Sequence, residues 1–101
     1  MVIHITVDVT VVAGVGQVIF AIKGDLRHIG FKIPDMDNGK FFWEIRDEDG
    51  FPVDGSDEGK QGKRNFRAEK YVDGKNTLYI TDASDDGVYR ARLWVDVTNR
   101  Q

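Results

Sequence analysis

Residues 85–95 decide the fold, and they read Asp85-Asp86-Gly87-Val88-Tyr89-Arg90-Ala91-Arg92-Leu93-Trp94-Val95. An acidic turn that contains glycine leads into a run with an apolar residue at every second position. Because successive side chains of a β-strand point to opposite faces, this spacing predicts a strand with one buried face. The buried residues are then Tyr89, Ala91, Leu93, Val95 and Val97. The outer residues are Val88, Arg90, Arg92 and Trp94.

The turn before this strand has the composition of a tyrosine corner. In immunoglobulin-like sandwiches, a tyrosine near the start of a core strand donates its hydroxyl back to the upstream backbone. Asp85, Gly87 and Tyr89 are the residues that we expect to form this corner. Such domains often carry cysteine two residues after the tyrosine, where this chain has Ala91. The feature describes architecture, so it favours a structural or binding module over an enzyme.

The rest of the chain continues the alternation in short runs. Residues 3–11 alternate Ile or Val with polar residues over nine positions, and further runs follow at roughly ten-residue spacing between Gly- and Asp-rich turns. We therefore expect one domain over residues 1–101, an all-β antiparallel sandwich of seven or eight strands without a helix. An immunoglobulin-like topology is the first expectation and a jelly-roll is the alternative, because both share this periodicity.

An aromatic-rich run over residues 41–46 predicts a central strand. Phe41, Trp43 and Ile45 share one parity, so we expect them in the core. Phe42 has the opposite parity, which predicts an exposed position. Pro52 on the return strand lacks a backbone donor and predicts a sheet edge.

Composition excludes several classes of partner and site. The net charge of −3 provides no overall attraction to nucleic acid or to an anionic membrane. The absence of cysteine excludes disulfides, thiolate metal sites and cysteine nucleophiles. The N-terminal residues have no basic region before an apolar stretch, so we expect no signal peptide, and no run is long enough to span a bilayer. We expect synthesis and folding in a cytoplasm.

Catalytic and metal-binding patterns are weak. His4 and His28 are the only histidines, and each lies on the polar side of its predicted strand. No acid–base pair can be assembled around them, so we predict no catalytic residue, no cofactor and no enzyme activity. Acidic loops such as 35–39 and 47–50 resemble calcium loops only faintly, and Asp and Gly are also the residues of tight turns. We interpret them as turns.

The outward aromatic residues are the best functional lead. Trp and Arg dominate the hot spots of protein interfaces, which makes Trp94, Arg90, Arg92 and Phe42 candidates for contact with another chain. Alternatively, the polar loop over residues 54–65 folds across Trp94. A basic stretch within and just after this loop holds Lys60, Lys63, Arg64, Arg67 and Lys70. Its charges alternate with Gly, Gln and Asn, so we interpret it as a solvated loop, or one that contacts an acidic protein partner, and not as a nucleic-acid site.

Four segments resemble a family of short, cysteine-free β proteins encoded among the virion genes of tailed bacteriophages. They are IHITVDVTV at 3–11, FKIP at 31–34, FFWEIRDEDGFPV at 41–53 and LYITDASDDGVYRARLWV at 78–95. In that family the last segment typically has Asp-Gly-x-Tyr followed by alternating apolar residues. Residues 54–72 depart from the family pattern.

The resemblance implies a non-enzymatic structural protein of the virion, made in the host cytoplasm. Members of the family are presumed to be head decoration, cement or tail accessory proteins, so the implied partners are capsid or tail subunits, with a homo-oligomer as a possibility. The long first strand suits pairing with the edge of a partner sheet. The alternative is an immunoglobulin-like recognition module that binds a carbohydrate or a host surface protein through loops 35–39 and 54–65.

Overall fold

The computed structural model describes residues 1–55 and 65–97, and within them the chain forms eight β-strands and no helix. The strands are β1 (Val2–Val11), β2 (Gly16–Ala21), β3 (Gly24–Lys32), β4 (Phe42–Arg46), β5 (Pro52–Gly55), β6 (Asn65–Val72), β7 (Lys75–Thr81) and β8 (Gly87–Asp96). The all-β prediction is confirmed. Among the described residues, no helix is long and apolar enough to cross a membrane.

The strands form two four-stranded antiparallel sheets. The order is β1-β8-β3-β6 in the first sheet and β2-β7-β4-β5 in the second. Four of the strand pairs are nested like the two arms of one long hairpin: β1–β8, β2–β7, β3–β6 and β4–β5. Folding of this hairpin into two sheets adds the pairs β3–β8 and β4–β7. This is the jelly-roll arrangement of eight strands. Of the two topologies that periodicity left open, the strand order therefore matches the second.

The connection from β1 to β2 is a two-residue hairpin turn. Val12 and Val15 exchange two backbone hydrogen bonds, of 3.0 and 3.2 Å. Between them Ala13 has φ of 54° and Gly14 has φ of 80°, so both central residues are left-handed, as a type I′ turn requires. Glycine adopts this conformation without cost, but alanine does not.

The core lies between the inner faces of the two sheets. The alternating residues of β8 that parity placed inside, from Tyr89 to Val95, are all 0% exposed. Trp43 is 3% exposed and packs against Phe66, with ring centroids 5.2 Å apart. Phe31 joins this aromatic cluster at 4.9 Å from Phe41. The predicted burial of Trp43 is confirmed.

The turn before β8 has the geometry that its sequence predicts. The Tyr89 hydroxyl donates a hydrogen bond to the backbone oxygen of Asp85 at 2.7 Å. Gly87 has φ of 137°, and a Cβ at this position would lie 2.9 Å from Cγ of Pro34. Both the backbone angle and the close approach of the proline therefore require glycine here.

Two burial predictions differ from the structure. Val97 is half-buried because it lies beyond the end of β8, where the sheets no longer cover it. Phe42 faces away from the core, as expected, but it is half-buried and not exposed. Pro52 begins β5, which is an edge strand of its sheet, as predicted.

Candidate interaction surface

The outer face of the first sheet is built from rows of residues that are neighbours across the strands. Trp94 on β8 lies opposite His4 on β1 and opposite His28 on β3. Its ring centroid is 6.2 Å from that of His4 and 5.0 Å from that of His28. The only two histidines of the chain therefore flank its one outward tryptophan.

Trp94 is half-buried because its ring extends over a glycine of the neighbouring strand. A Cβ at Gly30 would lie 3.5 Å from Trp94 Cζ3 and 3.0 Å from Asn65 Oδ1. The absence of a side chain at Gly30 creates the space that the indole and the Asn65 amide share. Asn65 Oδ1 also lies 3.3 Å from His28 Nε2, which links the amide to the same cluster.

Cationic side chains form the next rows of this face. The Arg92 guanidinium carbon lies 5.8 Å from the Trp94 ring centroid, which is a cation–π distance. Arg90 Nε donates to Asp8 Oδ1 at 2.9 Å, and this hydrogen bond raises the pKa of Arg90. Within the described part of the chain, Arg92 and Lys32 have no carboxylate within 4.0 Å. The face therefore carries positive charge beside its aromatic residue.

A shallow depression of about 340 Å³ lies between these residues. Its lining consists of Gly30, Phe31, Lys32, Asn65, Arg90, Arg92 and Trp94. A flat indole, an amide and guanidinium groups together suit contact with a carboxylate-bearing or otherwise polar partner surface. We name the outer residues of this region, His4, His28, Gly30, Asn65, Arg90, Arg92 and Trp94, the Trp94 face.

The structure separates one of the predicted interface residues from the other three. Arg90, Arg92 and Trp94 share the outer face of the first sheet, but Phe42 lies on the outer face of the second sheet. The two outer faces are on opposite sides of the sandwich. Phe42 shares its face with Arg46, whose guanidinium lies 5.3 Å from the Tyr79 ring centroid.

The open edge of β1 adjoins the Trp94 face. β1 is the end strand of its sheet and pairs with β8 over all ten of its residues. Its outward side chains include His4, Thr6 and Asp8, all of them exposed. A partner strand that pairs with this edge would therefore contact the Trp94 face at His4.

The acidic loops are turns held by their own side chains. Asp35 Oδ1 accepts hydrogen bonds from the backbone of Asp37 and Asn38 at 3.1 and 3.0 Å. Asp47 Oδ1 accepts from Asp49 and Phe51 at 3.0 and 2.9 Å. The described ranges, 1–55 and 65–97, hold no group of three or more side chains that could bind a metal ion.

The proposed cover of Trp94 by loop 54–65 lies largely outside the described residues. Only Asp54, Gly55 and Asn65 of that loop are described, and of these Asn65 contacts the cluster. Sequence parity placed both histidines on polar faces but did not place them beside Trp94. That neighbourhood depends on β1 and β3 both pairing with β8, which nothing local in the sequence shows.

In comparisons with known proteins, no family model, no curated protein and no solved structure matches this chain.

Proposed function

We propose that this protein is a non-enzymatic structural component of a virion, of the capsid decoration, cement or head–tail accessory type. It binds neighbouring virion subunits and has no catalytic part. The observation that carries the proposal is the Trp94 face, where Trp94, Arg92 and Arg90 lie together on a broad sheet surface. The strand order adds support, because jelly-rolls are frequent among capsid proteins, although fold alone does not assign a role.

The dimensions of the face suit a lattice contact. With about 4.8 Å between strands and about 3.3 Å per residue, the outer face of this sheet, whose four strands have eight to ten residues, covers roughly 600 Å². A stable protein interface buries about 800 Å² on each partner. One face therefore provides most of a stable contact, and repeated contacts on a symmetric lattice would raise the overall affinity further.

The chemistry of the face suggests the character of the partner. Arg92 and Lys32 lack a carboxylate partner among the described residues, so a carboxylate on a capsid subunit could pair with either. Trp94 is fixed between two imidazole rings and loses little conformational entropy on binding. We therefore expect the contacted lattice surface to be acidic around an apolar centre.

The test compares two outward aromatic residues on opposite faces. Purified protein is added to particles of the phage that encodes it, after removal of the resident copies, and bound protein is quantified. Because a hot-spot truncation costs about 2 kcal/mol or more, Trp94→Ala should weaken binding by at least tenfold. Phe42→Ala, on the other outer face, should bind as the unmodified protein does.

Thermal unfolding of both variants would show that each is folded at the assay temperature. If the protein is not a stoichiometric component of purified particles, the virion role is wrong. If it is present but Trp94→Ala binds normally, the role remains and the Trp94 face is not the contact.

A recognition module for an acidic carbohydrate is the second candidate. The depression beside Trp94 favours it. An indole ring, the Asn65 amide and cations that lack a carboxylate partner among the described residues can stack on and hydrogen-bond a charged sugar. Under this function the isolated protein would bind acidic glycans on an array, and Trp94→Ala would abolish the signal. Absence of glycan binding together with stoichiometric presence in particles would exclude it.

A further inference from the structure

Along the sheet edge, the backbone of β1 presents hydrogen-bonding groups that have no strand partner among residues 1–55 and 65–97. Val97 N donates to Met1 O at 2.9 Å, which makes these two residues a hydrogen-bonded pair of the β1–β8 ladder. The ladder continues without a register shift, so the odd-numbered residues of β1 turn their backbone groups toward β8. The even-numbered residues turn theirs away from β8. Val2, His4, Thr6 and Asp8 face the open edge, whereas the backbone oxygen of Thr10 lies against Gly16 of β2, where an added Cβ would clash with it.

The edge strands on the other side of the sandwich are protected and β1 is not. β5 has only four residues and begins with Pro52, and β6 carries Arg67, Glu69 and Lys70 along its length. Short strands, proline and charged side chains are the usual means of preventing pairing at a sheet edge. β1 has ten residues, mostly Val, Ile and Thr, with no proline, lysine or bulge. Such an edge is a template for another strand.

The inner side chains of β1 are also incompletely covered. Val9 and Val11 are at most 1% exposed, but Ile3, Ile5 and Val7 are only half-buried. The sandwich therefore closes over the C-terminal part of β1 and leaves apolar surface at the remainder. A strand added at this edge would complete the burial of these three side chains.

We propose that β1 pairs with β1 of a second copy of this chain, antiparallel, about a two-fold axis at Thr6. In this register Thr6 lies opposite Thr6 of the second copy, and His4 lies opposite Asp8, twice by symmetry. Each of these even-numbered pairs has its backbone groups at the open edge, so each exchanges two hydrogen bonds. The result is one continuous eight-stranded sheet from two copies.

Charge selects this register from the alternatives. An axis at Asp8 would oppose two carboxylates, and like charges directly opposite one another are unfavourable. An axis at His4 would oppose two imidazoles and would leave neither of them opposite a carboxylate. Axes at Ile5 or Val7 would oppose His4 to a threonine. Only the axis at Thr6 opposes each His4 to a carboxylate. Asp8 accepts from Arg90 through Oδ1, so its second oxygen remains available for the imidazole.

The pairing would place two Trp94 faces on one side of the double sheet. His4 packs against Trp94 of its own chain, so the interface adjoins both faces without covering them. The inference rests on β1 alone and does not require a role in a virion. A monomeric protein would therefore exclude the pairing and leave the proposed function to its own test.

The first experiment uses the absence of cysteine in the chain. In the proposed register, the Cα atoms of the two Thr6 residues are about 5.5 Å apart, within the range that a disulfide spans. Thr6→Cys should therefore form a covalent dimer under mild oxidation. Val2→Cys is the matched control at an exposed position on the same open edge, because the register places its two copies far apart along the strand. Equal cross-linking of both variants, or none of Thr6→Cys, would overturn the register.

The second experiment measures the dimer dissociation constant by sedimentation. His4→Glu opposes Glu to Asp8 twice and should weaken the dimer about tenfold. His28→Glu is the matched control, because His28 also flanks Trp94 but lies two strands from the edge. The inference is overturned if the unmodified protein stays monomeric at all concentrations, or if both variants weaken the dimer equally.

Discussion

The rings of Trp94 and His28 meet at 76°, with their centroids 5.0 Å apart. The two residues are register neighbours on β8 and β3, so the main chain of the sheet holds the two rings together. His4 lies on the other side of the indole in the same row. An outward tryptophan is thus held in a fixed position, with part of its surface available to a partner.

Gly30 controls how closely the indole lies on the sheet. A single Cβ at this position would contact Trp94 at 3.5 Å, an ordinary van der Waals distance, and the exposed Asn65 side chain can move away. We expect Gly30→Ala to leave Trp94 in place. Gly30→Val has two further methyl groups in this space and should push the indole into solvent. Tryptophan fluorescence should shift to the red in the valine variant only, because Trp43 is 3% exposed and unaffected.

A shift of the same size in both variants would show that Trp94 does not depend on the space above Gly30. No shift in Gly30→Val would show that the indole does not lie over Gly30 in solution.

The tyrosine corner should stabilise the fold by the amount of one buried hydrogen bond. Tyr89→Phe keeps the ring and removes the hydroxyl that donates to Asp85 at 2.7 Å. The free energy of unfolding should fall by about 1 kcal/mol, measured by denaturant titration at neutral pH. Tyr79→Phe, on the outer face under Arg46, is the control and should change stability much less. An equal loss in both variants would contradict a special role for the corner.

The same hydroxyl should produce an alkaline dependence of stability. Burial raises the pKa of Tyr89 above its ordinary value, and the carboxylates of Asp85 and Asp86 add to the effect. The unfolded chain then loses this proton at lower pH than the folded chain. The stabilisation of the fold by the protonated hydroxyl is therefore complete below about pH 10 and is lost as the pH rises through the folded pKa. The difference in stability between the unmodified protein and Tyr89→Phe should therefore shrink above about pH 10. If the difference in stability between the two proteins stayed constant above this pH, the Tyr89 hydroxyl would not be the source of an alkaline dependence.

The turn between β1 and β2 contains a residue whose replacement should stabilise the fold. Ala13 has φ of 54°, a left-handed conformation that costs alanine about 1 kcal/mol more than it costs glycine. Ala13→Gly should raise the free energy of unfolding by about 0.5 kcal/mol or more. Ala21→Gly, at an exposed strand position, should lower it by a similar amount, about 0.5–1 kcal/mol. Destabilisation by both changes would show that the turn is not left-handed at Ala13.

Parity along single strands could be predicted from the sequence because it depends on nearest neighbours only. It placed Trp43 and Tyr89 in the core and Trp94 outside, and the structure agrees. It also placed Pro52 at an edge, since proline removes a ladder hydrogen bond.

Pairing between distant strands could not be predicted in the same way. Immunoglobulin-like and jelly-roll sandwiches have the same alternation, and only the order β1-β8-β3-β6 distinguishes them. For this reason the sequence grouped Phe42 with Trp94, although they lie on opposite faces. For the same reason it did not bring His4 and His28 together around the tryptophan.

The most direct test of the Trp94 face is acrylamide quenching of tryptophan emission, free and bound to purified particles. Trp43 is buried in the core, so in the free protein the quencher should reach Trp94 alone. We predict that acrylamide no longer quenches the emission of Trp94 in the bound protein, because the partner surface covers the indole. If Trp94 is quenched as readily in bound protein as in free protein, the Trp94 face is not the surface through which the protein binds.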